Sequence, residues 1–261
     1  DIVFQGASSA IAGQITEDVR KHNLRNPGKE IMFINIGAEA MELTGAKCHF
    51  YHFRYTTSAP MRVNALVQAM KEAGDLGTRV YAINQNYSWG QDMQAATEAA
   101  AEAGGYTVVE ETLHDVNKIQ DFAPYVAKIK AADPDTVITG NWSNDLLLLM
   151  KATGDSGLKV RFATAFLDQP GNIANAGDTA LGHYLANSYV NSAADGTFAE
   201  EYKAAQGHYP TFVEPQAAFA AGALGQALSG LDFKGGDIDV TAIAEALENT
   251  TYESPVGPIS V

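Results

Sequence analysis

Residues 78–90 read TRVYAINQNYSWG, and this stretch decides the fold. Its first half, 78–84, is an apolar run of strand length; its second half, 84–90, is a polar, aromatic loop. An alanine-rich helical pattern follows over 91–103 and stops at Gly104-Gly105, where a helix C-cap is expected. The unit then repeats. Residues 106–113 read as a β-branched strand and 122–132 have helical spacing. Residues 136–139 (TVIT) form a short buried strand, and a second polar, aromatic loop, GNWSND (140–145), leads into a helix over 146–151. Strands alternating with helices of this length imply a parallel sheet with right-handed crossovers. In such sheets the loops at the carboxyl ends of the strands line the ligand crevice. Each of the two loops carries a tryptophan, Trp89 and Trp142, and the chain has only these 2.

Working outward, residues 1–4 (DIVF) read as a strand that turns through Gln5-Gly-Ala-Ser-Ser-Ala10 into a helix over 11–22. Ser8 and Ser9 at a helix N-terminus offer hydroxyl donors beside free N–H groups and the positive dipole end, an anion site suited to a carboxylate. The alternative is that one serine only caps its own helix. Residues 30–36 form the next strand, followed by Gly37-Ala-Glu-Ala-Met-Glu-Leu-Thr44. Glu39 either meets a ligand ammonium or sits in solvent at a helix start, where acidic residues are favoured. Residues 48–57 (CHFYHFRYTT) alternate and read as extended. His49 and His52, three apart in a strand, would face opposite sides, so no metal site is expected there.

A helix over 58–73 with Pro60 in its first turn, strands over 160–164 and 182–190, and helices over 198–206, 216–231 and 241–248 complete the pattern. Residues 252–261 read as a crossing segment. Gly222 and Gly225 inside a helical run point to close packing.

The 261 residues provide for one large or two medium domains. A formal charge of −14 argues against nucleic-acid and membrane-surface partners. The single cysteine, Cys48, excludes an intrachain disulfide. Dinucleotide, phosphate-loop and nucleophile-elbow motifs are absent, and no cofactor is expected.

In order and spacing, the segments FQGASSA (4–10), GAEAMELT (37–44), YHFRYT (51–56), NYSWG (86–90), DF (121–122) with AKIKAADPD (127–135), and SPVGP (254–258) resemble the periplasmic leucine/isoleucine/valine-binding protein family, the type I solute receptors of ABC importers. The resemblance covers essentially the whole chain. It implies an α/β fold of two doubly wound parallel-sheet lobes with a ligand cleft between them. Residues 1–55 and 191–250 would form lobe I, and 56–190 and 251–261 lobe II. It also implies a fragment truncated at both ends, with lobe I incomplete.

By the same resemblance Ser9 receives a ligand carboxylate, flanked by backbone groups of Ala38 and Ala40. Trp89, Trp142 and Phe166 fall at aromatic or acidic family positions, with Asp168 two residues off register. Where the family places a threonine-like residue stands Glu39, and Phe166 replaces an acidic one. A zwitterionic amino acid or amide, or an aromatic acid, are the two ligand readings. The implied function is non-enzymatic: an extracytoplasmic receptor, periplasmic or membrane-tethered, a monomer when full length, delivering a small solute to a membrane permease. The rival classes are a ligand-sensing domain of a regulator and an enzyme on the same scaffold.

Overall fold

A computed structural model describes residues 1–232 and 239–260. In chain order its elements are β1 (Ile2–Gln5), α1 (Ser9–Arg25), β2 (Met32–Asn35), β3 (His52–Arg54), α2 (Ala59–Ala73), β4 (Arg79–Gln85), α3 (Ser88–Ala99), α4 (Ala101–Gly104) and β5 (Thr107–His114). They continue with α5 (Ala123–Ala132), β6 (Thr136–Thr139), α6 (Asn144–Asp155), β7 (Arg161–Thr164), α7 (Asn172–Ala176), β8 (Tyr184–Leu185), α8 (Phe198–Gln206), α9 (Glu214–Ser229), α10 (Val240–Glu248), β9 (Thr251–Ser254) and β10 (Gly257–Ser260). The chain divides into two compact units, Asp1–Thr57 with Ser188–Val261, and Ser58–Asn187.

Unit 2 is built on a five-stranded parallel sheet in the order β5-β4-β6-β7-β8. Interior strand β4 is buried from Val80 to Gln85, as a strand covered on both faces is, with Val80–Ile83 its apolar run. The order reverses at β4, with β5 on one side and β6 on the other, so the switch point lies where the chain leaves β4 and β6. Tyr81, Ile83, Val137, Phe162 and Phe122 fill the core against α5 and α6. Helix α3 begins at Ser88, three residues earlier than the sequence pattern predicts, which takes Trp89 out of the loop and into the helix. Gly90 makes that tight entry possible: a Cβ there would lie 1.8 Å from the Gln85 carbonyl oxygen. Where 182–190 were expected to be a strand, only Tyr184–Leu185 pairs with β7.

Unit 1 carries a three-stranded parallel sheet, β1-β2-β3, with α1 against one part of it. Met32, Ile34 and Phe53 pack with Ala220, Ala223, Ile243 and Leu247 of α9 and α10. Residues 48–57 are not extended throughout. A turn at Phe50 and Tyr51 precedes β3 and brings both histidine rings onto one threonine. His49 Nε2 and His52 Nδ1 lie 2.9 and 3.0 Å from Thr16 Oγ1. The expectation that they face opposite ways is corrected by that turn.

The closing segment is an antiparallel hairpin, β9 with β10; Val261 lies outside the described residues. It belongs to unit 1 rather than to lobe II as expected. The cause is local packing: the Tyr252 ring lies where a Cβ on Gly222 of α9 would be, 2.5 Å away, and Gln226 Nε2 donates to Thr251 O at 3.0 Å.

Candidate functional site

In unit 1 the parallel register places Gln5 beside Asn35, so the loops leaving β1 and β2 emerge together. Asn35 organises the second loop. Its Oδ1 accepts the Ala38 and Gly37 N–H groups at 2.8 and 3.2 Å, and its Nδ2 donates to Ala38 O at 2.8 Å. Ser9, 3% exposed, opens the 17-residue helix α1, and its Oγ accepts the Ala40 N–H at 3.2 Å. Neither serine caps its own helix: Ser8 holds the N-cap position without a side-chain bond. The Ser9 hydroxyl therefore keeps its hydrogen to give, beside helix N–H groups that carry no side-chain cap. That combination suits an anionic oxygen.

Two expectations for this loop are corrected. Ala38 and Ala40 are buried, and their N–H groups are used inside the unit, by Asn35 and Ser9, rather than presented to a ligand. Glu39 is 2% exposed, not in solvent. The Thr56 hydroxyl donates to Glu39 Oε1 at 3.3 Å. Burial lowers the Arg54 pKa and the Glu39 charge opposes that fall, so the buried carboxylate has a cationic counterpart.

In unit 2 the two tryptophans differ. Trp89 is 1% exposed; its Nε1 donates to Gly140 O at 2.8 Å, and its ring lies 5.3 Å from that of Phe166. Phe166 is itself buried and has the Arg62 guanidinium 5.4 Å over its ring. Both are interior joints between strand-end loops, at positions where the resemblance places ligand contacts. The reason is the early start of α3, which turns Trp89 onto the sheet. Trp142 is half-buried in the loop after β6, and its Nε1 donates to Tyr87 Oη at 2.9 Å. Asp168, after β7, accepts a bond from Asn187 Nδ2.

The sequence reading passed over Tyr87, Asn35 and Asp145. Tyr87 occupies the extended N-cap of α3, outside the helix that buries Trp89. A serine followed by an alanine-rich run was the available signal for that helix start. Asp145 is fully buried in the first turn of α6. Its Oδ2 accepts from Gln85 Nε2 and from the Asn117 N–H, each at 2.7 Å. A cavity of about 520 Å³ lined by Lys159, Arg161, Asp178 and His183 lies at the amino ends of β6 and β7 and shares no residue with these loops. Among the described residues no cluster of three His, Cys, Asp or Glu side chains is placed to hold a metal ion.

Unit 1 offers a hydroxyl at a helix N-terminus and a balanced buried carboxylate; unit 2 offers an indole held at its nitrogen. The family of periplasmic binding proteins matches residues 1–261. The chain is 57% identical over 263 residues to Leu/Ile/Val-binding protein homolog 4 of Brucella abortus (strain 2308), covering 100% of this chain and 63% of that protein. Among solved structures it is similar to the leucine-, isoleucine-, valine-, threonine- and alanine-binding protein from Brucella ovis in its closed conformation. That likeness has 57% identity and a TM-score of 0.92, over 100% of this chain and 67% of that one. A solute-binding protein of an ABC transporter from R. palustris, in complex with benzoate, shares the fold at 21% identity with a TM-score of 0.86, over 100% of this chain and 70% of that one. The chain thus spans 63% of the length of the curated relatives that it matches at 57% identity, and it belongs to the periplasmic binding protein family.

Proposed function

We propose that this protein is the extracytoplasmic solute receptor of a branched-chain amino acid-type ABC transporter. It captures a small carboxylate-bearing solute by lobe closure and delivers it to a membrane permease, without bond chemistry. It works in the periplasm, or tethered outside the membrane, as a monomer. The observation that carries the reading is Ser9. Its hydroxyl oxygen accepts the Ala40 N–H and its hydrogen meets no acceptor among the described residues, so it is available to a ligand oxygen next to the uncapped start of α1. A carboxylate is the acceptor whose charge the helix dipole favours.

Among carboxylates, an aliphatic α-amino acid is the first choice. The Glu39 carboxyl group lies at the same loop, and the Brucella ovis protein, 57% identical, is a leucine-, isoleucine-, valine-, threonine- and alanine-binding protein. The half-buried indole of Trp142 favours an aromatic acid as the second reading, since rings pair for about 0.5–1.5 kcal/mol beyond area burial. A micromolar solute requires about 8 kcal/mol in all.

Thermal unfolding of the protein against branched and aromatic amino acids, short amides and aromatic carboxylates tests the proposal. A ligand at a hundredfold its Kd adds about 2.7 kcal/mol. The expected result is a raised midpoint with leucine or valine that disappears in Ser9→Ala and falls in Glu39→Gln. A rise with benzoate alone selects the second reading. No rise with any carboxylate, or turnover of a panel member, overturns the receptor reading.

A further inference from the structure

We propose that Asp145 is a positioning residue whose single carboxylate oxygen fixes the loops leaving β5, β4 and β6, and thereby holds Trp142 in place. The three strands are neighbours in the sheet, in that order, around the switch point. Asp145 Oδ2 takes Gln85 Nε2 at the end of β4 and the Asn117 N–H in the loop after β5, each at 2.7 Å. Asp145 itself lies in the first turn of α6, three residues after Trp142. Gln85 Nε2 also reaches Trp142 O at 3.5 Å, closing the circuit.

Two backbone conformations in the circuit are ones that L-residues rarely adopt: Asn117 has φ 52° and Ser143 has φ 56° with ψ −141°. Such conformations persist only where surrounding bonds over-determine them. Asp145 supplies the Asn117 bond, while Ser143 N donates to Gln169 Oε1 at 2.8 Å. The carboxylate has no ion pair among the described residues, and Oδ1 is buried without a hydrogen bond. The bonds made to Oδ2 come from N–H donors, and the carboxyl group stands at the amino end of the 12-residue helix α6. Both donors use one oxygen, so an asparagine whose amide oxygen takes the Oδ2 place retains both bonds. The geometry is what the site uses, and the charge is incidental to it.

The binding half of this inference rests on the receptor reading; the positioning half does not. The test labels the protein with 5-fluorotryptophan, giving two fluorine resonances, the Trp142 signal being the one lost in Trp142→Phe. In Asp145→Ala the Trp142 resonance is expected to move toward the position of free 5-fluorotryptophan while that of Trp89 stays. In Asp145→Asn both stay. Calorimetric titration with leucine and with benzoate is expected to show at least tenfold weaker binding of the retained probe in Asp145→Ala, and a change under threefold in Asp145→Asn. A Trp142 resonance unmoved in Asp145→Ala, or displaced as far in Asp145→Asn, overturns the proposal. If Asp145→Ala fails to fold, Gln85→Ala decides by the same resonance: displacement of Trp142 alone supports the circuit, and an unmoved signal overturns it. If neither probe binds the unsubstituted protein, the receptor reading fails while the fluorine spectra still judge Asp145.

Discussion

The strand-end loops of the two units solve the same problem with different chemistry. In unit 1 the loops after β1 and β2 are held by polar groups: Asn35 grips Ala38, Ser9 grips Ala40, and Glu39 is balanced against Arg54. In unit 2 the loops after β4, β6 and β7 are held by rings, with Trp89 bonded to Gly140 and seated against Phe166. Asp145 adds a carboxyl group to that second set, beside Asp168 and the Arg62 guanidinium over Phe166. The difference teaches that a residue at a strand end is not for that reason a ligand contact. Ser9 has a hydrogen left to give, Trp142 is only half-buried, and Trp89 is buried with its N–H already used.

The largest expected effect tests the assignment of Trp89 to structure. Trp89→Ala removes a fully buried indole and leaves the Gly140 carbonyl without its donor, a loss of about 3–5 kcal/mol in urea unfolding. A loss under about 1 kcal/mol, with solute binding abolished, would make Trp89 a wall of the site and break the comparison.

Acid separates the units next. Burial lowers the pKa of His49 and lowers that of His52 to about 4, with His49 and Arg54 repelling the His52 proton. A folded-state pKa below the unfolded value of 6.5 means that the unfolded chain binds more protons. The stability is therefore full above pH 6.5 and is lost as pH falls toward 4, by about 3 kcal/mol for His52. Unfolding midpoints between pH 7 and 4.5 are expected to fall, and His52→Gln to flatten the slope. His183 of unit 2 is also lowered by burial, so His183→Gln is the matched control. An unchanged slope in His52→Gln would show that His52 is not the source of the acid sensitivity.

Ser9→Ala is expected to cost about 1–3 kcal/mol, because the buried Ala40 N–H loses its acceptor. Ser8→Ala costs under about 0.5 kcal/mol, Ser8 having no capping bond. Equal effects in thermal unfolding would mean that the two serines are interchangeable caps.

These contrasts also mark what was legible in the sequence. The apolar runs of β4 and β6 are visible because a strand buried on both faces has no polar alternation to obscure it. Helix α2 is visible from Pro60 at its start. Ser9 and Trp142 stand at strand ends that the pattern locates. The rest depends on partners distant in the chain. A three-residue shift in the start of α3 decides whether Trp89 or Tyr87 is interior. The burial of Glu39 depends on Arg54 and Thr56, which no spacing rule links to it. Aromatic alternation over 48–57 hid the turn that joins His49 and His52 on Thr16. The allegiance of the hairpin β9–β10 depends on one glycine, Gly222, meeting Tyr252 across 30 positions. Local pattern specifies elements; which side chains remain available is a property of their packing.

The smallest expected effect is the most specific to the open tryptophan. Trp142 Nε1 and Tyr87 Oη make one bond at 2.9 Å between half-buried groups, which contributes about 0.5–1.5 kcal/mol net. A double-mutant cycle of Trp142→Phe with Tyr87→Phe removes donor and acceptor while keeping both rings, so its coupling energy isolates that bond. The expected coupling is about 1 kcal/mol in the unliganded protein. Because Phe at 142 retains an aromatic face but not the nitrogen that aims it, an aromatic carboxylate would then bind more weakly while an aliphatic amino acid is little affected. Zero coupling would leave the indole aimed by its loop alone, which is the part that Asp145 plays. Coupling without any change in selectivity would place Trp142 with Trp89, among the joints, and leave the polar loop of unit 1 as the part of the molecule that chooses the solute.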